Sequence, residues 1–291
     1  MDTRDCDSAI TVLESAGRDL KNARYVIALA TAYACKANYS SSTFYGTDLS
    51  RIVGTEGGIL GSLTKLTISE MTSPTDSTYV SLWTAIDTLV YSGGVSTPTV
   101  ANRALIFSDI EADDINLFAL YLVINQLGKY LYFYGNANPI TGVKGGGAVA
   151  NGNTNNLSNG CLYDYNPSDA TLDAVITAAR ASGGVGSCTS SASGNDFLSQ
   201  LPNTKTTKRL CEGVVLFNIF LDILVNISLP TDATQLTSAA SELRAACSSN
   251  SAVGELCSVY EQSQCEEEYA TTVQSDKLQA YFFLVFETLF I

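Results

Sequence analysis

Residues 210–229 read LCEGVVLFNIFLDILVNISL, from Leu210 to Leu229. After Glu212 the polar exceptions are Asn218, Asp222, Asn226 and Ser228. The first three are four residues apart, so on a helix they form one narrow stripe. The remaining faces carry Val214, Val215, Leu216, Phe217, Ile219, Phe220, Leu221 and further aliphatics. A helix that is apolar nearly all round belongs either at the centre of a large protein or against lipid. Bundle centres have this pattern, and that reading suits 210–229 well.

Two other stretches share the pattern. In Leu117 to Tyr134 the polar residues are Asn125, Gln126 and Lys129. The last fourteen residues, LQAYFFLVFETLFI from Leu278 to Ile291, hold Glu287 as their one charge. A bilayer span needs about 20 mostly apolar residues. Each run meets an Asp, Glu or Lys within that length, so none reads as a transmembrane helix. The C-terminal rings pose a problem of their own. Tyr281, Phe282, Phe283, Phe286 and Phe290 cannot all face one core. Together with Leu289, Ile291, Phe217 and Phe220 they are the expected contacts for another subunit or a lipid chain. Complete burial is the competing reading.

Outward from these runs the chain reads as helix after helix. The apolar spacing predicts a helix over 7–37, and a second over 47–69 that contains Gly54, Gly57, Gly58 and Gly61. Those glycines read either as GxxxG-type close approach or as a break. Further helices are expected over 75–91, 97–107, 115–134, 168–182, 206–229, 232–248, 253–262 and 266–291. Long Gly/Asn/Ser-rich loops fill 135–166 and 183–194. The absence of a βαβ rhythm argues for an all-α class. The expected arrangement is a disulfide-stapled multi-helix bundle or superhelix, one domain over 1–291 with a possible subdivision near 135–166.

The whole chain has 291 residues, a net charge of −13 and no histidine. Only 15% of residues are charged, against 46% hydrophobic. Mean hydropathy is +0.13. Such a chain is too apolar for disorder. It is too acidic to follow a phosphate backbone, so no nucleic-acid partner is expected. Without His, the Ser-His-Asp triad, Cys-His sites and HExxH zinc sites are impossible. No GxSxG and no P-loop occurs, and neither enzyme activity, bound metal nor cofactor is expected. The acidic run Asp109, Glu111, Asp113, Asp114 lacks the glycine and distal Glu of an EF-hand. It reads as the acidic first turn of a helix, and Glu266-Glu267-Glu268 reads the same way.

Eight cysteines remain: Cys6, Cys35, Cys161, Cys188, Cys211, Cys247, Cys257 and Cys265. Their even number and the absence of CxxC point to structural disulfides in an oxidising compartment. Position suggests Cys161 with Cys188. Cys247, Cys257 and Cys265 suit a late helical hairpin, with one of them reaching elsewhere. The first residues lack an apolar export core. The cysteines lead us to expect an export signal removed ahead of this start.

The three aromatic, apolar helices together with the disulfide-type cysteines resemble exported helical envelope proteins of Gram-negative bacteria. More narrowly, the chain looks like the PopA-type proteins. That resemblance implies an α-helical homo-oligomeric ring in the outer membrane or periplasm, with membrane lipid held inside it. The expectation is therefore a non-enzymatic envelope protein whose partners are its own copies and lipid. The alternative is a monomeric periplasmic module that binds a small molecule between helices.

Overall fold

Capping groups, rather than periodicity, decide where the helices end. The computed structural model describes residues 5–52, 58–135, 137–144, 165, 167–181, 203–227 and 234–289. The first predicted helix is two. Helix α1 covers Cys6–Ser15 and α2 covers Ala23–Lys36. Asp5 caps the first by accepting from the Ser8 N–H, and Asn22 caps the second by accepting from the Tyr25 N–H. Between them Gly17 adopts a φ of 91°, a backbone state that suits glycine. The turn lets Cys6 reach Cys35, which staples α1 back along α2.

The second predicted helix is also interrupted. Ser41–Thr43, a π-turn at Phe44–Asp48 and Leu49–Ile52 precede α3, Gly58–Leu63. Gly54 and Gly57 lie outside the described residues. Gly61 does make a close approach, but to a loop. A Cβ there would sit 2.2 Å from the Gly142 carbonyl oxygen.

Helix α4, Ser77–Val90, packs on α2 and on the long central helix. Thr99 caps the short α5, Val100–Ala104, and a Ser108/Glu111 capping box opens α6, Asp109–Tyr134. The acidic run is thus the exposed start of α6, as its composition suggests. Helix α7 is Ala170–Ala181 and α8, which contains the diagnostic stretch, is Asn203–Asn226. Then follow α9 (Thr234–Ser249), a 3₁₀ turn (Gly254–Ser258), α10 (Gln262–Glu268) and α11 (Thr272–Tyr281). The chain then enters a π-turn, Phe282–Phe286, and a last helical turn, Glu287–Leu289. Among the described residues the fold is all-α, with one isolated bridge between Ala137 and Lys144. No described helix is long and apolar enough to cross a membrane.

Helix α8 is the centre of the bundle, and its polar stripe is internal stitching. Asn218 Nδ2 donates to the Leu256 and Val259 carbonyls, each at 2.7 Å. Its amide oxygen accepts from the Tyr281 hydroxyl at 3.3 Å. Asp222 accepts from the Val100 N–H at 2.7 Å and from Arg244 at 3.2 Å. Burial of polar groups is tolerated here because each finds a partner.

The C-terminal rings correct the expectation that they need an outside partner. Tyr281, Phe282, Phe283 and Phe286 are fully buried in the chain's own core, as are Phe217 and, nearly so, Phe220. The wider π-turn rotates successive side chains away from a single-face register. Neighbours on every side then receive them. Phe282 stacks on Phe286 at 4.5 Å, Phe286 meets Phe217 at 5.2 Å, and Phe283 meets Tyr165 edge-on at 5.1 Å. Leu289 packs half-buried against this core. Phe290 and Ile291 lie outside the described residues.

Glu287 is fully buried and ion-paired with Lys144, while the Tyr165 hydroxyl donates to its second oxygen at 3.1 Å. Burial holds the Lys144 ammonium below the usual lysine range, against the pull of Glu287. Two further disulfides hold the C-terminal half. Cys211–Cys265 joins α8 to α10, and Cys247–Cys257 joins α9 to the 3₁₀ turn. Cys265 is thus the cysteine that reaches elsewhere. Cys161 and Cys188 lie outside the described residues. The described disulfides fit an oxidising, exported environment.

Candidate functional site

The sequence STYVSLWTAIDTLV of α4 buries Tyr79, Leu82, Ala85, Ile86 and Leu89 toward its neighbours. Trp83, Asp87 and Tyr91 recur every four residues and so run along another side of the helix. Opposite them, α8 presents Val215 and Ile219, again four apart. Helix α10 adds Gln262, Ser263 and Glu266. These eight residues line one cleft of about 300 Å³. Its floor is apolar, its walls carry two aromatic rings, and Asp87, Gln262, Ser263 and Glu266 add acceptor-bearing side chains. That combination is the usual make-up of a small-molecule site.

The electrostatics distinguish this cleft from a simple packing gap. Burial pushes the Asp87 carboxyl up to about 7. No described residue donates a hydrogen bond to it. Tyr91 is pushed up to about 12, first by burial and then by the negative charges of Asp87 and Glu261. Perturbed carboxyls in clefts mark candidate sites. Gln262 Nε2 donates to the Lys208 carbonyl at 2.9 Å and to Glu266 at 2.6 Å. Its amide oxygen is buried without a donor. The Cys211–Cys265 bridge, with a Cα–Cα distance of 5.7 Å, fixes α10 and hence this wall.

Several other polar groups of the interior are already engaged. Glu212 pairs with Arg209 and accepts from the Tyr79 hydroxyl at 3.2 Å, while the Tyr130 hydroxyl donates to the Arg209 carbonyl. Burial lowers Lys129 to about 8, and its ammonium donates to the Glu70 carbonyl rather than to a hydroxyl. The tetrad Ser62-Leu-Thr-Lys65 has the SxxK spacing of a Ser-Lys dyad. It closes α3 as a turn, with the Lys65 N–H donating to the Ser62 carbonyl at 3.2 Å. A larger hollow of about 530 Å³ lies beside the Cys6–Cys35 bridge, between Ile27, Thr31, Tyr39 and Phe118. Among the described residues it carries no carboxylate or cation. Among the described residues no cluster of three metal-ligating side chains occurs.

Among the described residues none of the expected contacts lines the candidate cleft. Those rings form the core behind it. The residues that do line it escaped the sequence reading, although a signal was present. Trp83 is the chain's one tryptophan, Asp87 is the one charge in α4, and the two share a face with Tyr91. No protein-family model, curated protein or solved structure matches this chain, so the cleft is interpreted from its own geometry.

Proposed function

We propose that the protein is a non-enzymatic, exported binding module whose ligand occupies the cleft between α4, α8 and α10. The observation that carries this reading is the meeting of Trp83, Tyr91, Asp87, Gln262 and Glu266 over an apolar floor. The apolar helices that favoured a ring are accounted for by the chain's own core. Their low charge is then the ordinary composition of a bundle centre. Because Trp83 is the one tryptophan, its fluorescence reports on this cleft alone. A small-molecule screen read by that signal, with calorimetry on the hits, tests the reading. Hits that bind while leaving Trp83 unchanged place the ligand elsewhere and overturn it.

A second reading keeps the resemblance: a bacterial envelope protein that forms a homo-oligomeric ring around membrane lipid. One feature favours it. Leu105 and Ile110 are 82% and 77% exposed beside the exposed Ile106 at the turn between α5 and α6. Exposed apolar patches mark contacts with protein or membrane. Light scattering decides the oligomeric mass, and lipid extraction with mass spectrometry decides the cargo. A strict monomer removes this reading.

A further inference from the structure

We propose that the cleft receives a primary ammonium group carried on an apolar body of aromatic size. This deepens the binding reading above and rests on it. The acceptors decide the charge of the ligand. Asp87 from α4 and Glu266 from α10 line the cleft beside Gln262, whose side-chain nitrogen already donates to Glu266. An ammonium carries three N–H donors and no acceptor, so it suits a lining of two carboxylates with no described cation between them. A neutral alcohol leaves at least one of them unsatisfied, and an anion is repelled.

The surrounding charges agree. Tyr91 and Glu266 are the other titratable groups that line the cleft with Asp87, Glu261 acts on Tyr91 as Asp87 does, and none of them is cationic. Among the described residues no Lys or Arg lines the cleft. On α8 the nearest cations are Lys208 and Arg209, and Arg209 is paired with Glu212. The net charge of −13 adds a long-range field that attracts cations. The rings supply the rest. Trp83 and Tyr91 offer aromatic surface to the cation and to its apolar body, over Val215 and Ile219. A divalent metal is a poorer match, since calcium takes six to eight oxygen ligands.

The test titrates phenethylammonium chloride and its neutral counterpart 2-phenylethanol into the intact protein at pH 8. Trp83 fluorescence and calorimetry are read together. The ammonium is expected to bind about tenfold or more tightly, the scale of one charge-assisted hydrogen bond. Asp87→Asn should remove that preference while far-UV circular dichroism stays unchanged. Affinity should rise from pH 6 to pH 8, with protons released, because Asp87 must ionise to bind. Equal affinity for the two probes overturns the ammonium assignment and leaves the binding module standing. Silence of Trp83 toward both probes, with no heat, overturns both. Calcium chloride that competes with the ammonium also overturns the assignment.

Discussion

The carboxylate of Asp222 in α8 accepts a hydrogen bond from the main-chain N–H of Val100, 2.7 Å away and 122 residues earlier in the chain. Val100 opens α5, so Asp222 completes the satisfaction of a helix start that Thr99 begins. It also engages Arg244, which reaches on to the Tyr260 hydroxyl. Asp222→Ala leaves a buried N–H without an acceptor and unpairs Arg244. We expect a loss of about 3 kcal/mol, the range for stripping a charged partner from buried groups. Urea unfolding measures the loss, and faster exchange of the Val100 amide locates it.

Phe282 lies between Phe286 and Tyr130. Phe282→Ala should cost about 3–5 kcal/mol, as for a large ring removed from a closed core. The helix signal should disappear in one transition at lower urea. If only the mass of an assembly changes and the urea midpoint does not, the ring belongs to an interface instead.

The buried Lys144–Glu287 pair predicts an asymmetric mutant cycle. Lys144→Met alone leaves a carboxylate charged in the core and should cost about 3–5 kcal/mol. Lys144→Met with Glu287→Leu should recover most of that, because two apolar side chains need no partner. Thermal melts of the two variants against wild type check the sign.

The Cys211–Cys265 bridge spans a separation of 54 residues. Replacing both cysteines with serine should lower stability by about 4 kcal/mol on the loop-entropy model. It also frees α10, so any Trp83-reported binding should weaken before helix content falls. Circular dichroism and fluorescence on the same sample separate the two effects.

Asp87 contributes a pH dependence of its own. Its folded value is about 7, above an ordinary unfolded value near 4, so the folded state holds the proton more tightly. Its contribution is full below pH 4 and is lost as pH rises through about 7. Asp87→Asn should therefore melt closer to wild type at pH 5 and gain on it at pH 8. A constant difference between the two proteins across that range contradicts the assignment.

Much of the architecture was readable in local pattern. The all-α class, the central position of 210–229 and the acidic start of α6 follow from spacing and composition. Helix ends were less legible, as at 16–22. There Gly17 and the Asn22 cap break a run whose apolar periodicity continues across the gap. The candidate cleft was the least legible part. Trp83, Asp87 and Tyr91 share a face by spacing alone, but Val215 and Gln262 lie more than a hundred residues away in the chain.

By itself the sequence determined which residues had to leave water: the faces of α6, α8 and the C-terminal run. It also determined what chemistry was out of reach, because a chain without histidine cannot build the common hydrolytic sites. Only the tertiary structure decided what those faces meet. Apolar burial is non-directional and scales with area, so one helix pattern serves a core, a subunit contact or a lipid contact equally. Long-range closure, through Asp222 to Val100, Lys144 to Glu287 and Cys211 to Cys265, turned the C-terminal rings inward. The same closure left Asp87 at the wall of a cleft with no hydrogen-bond donor among the described residues.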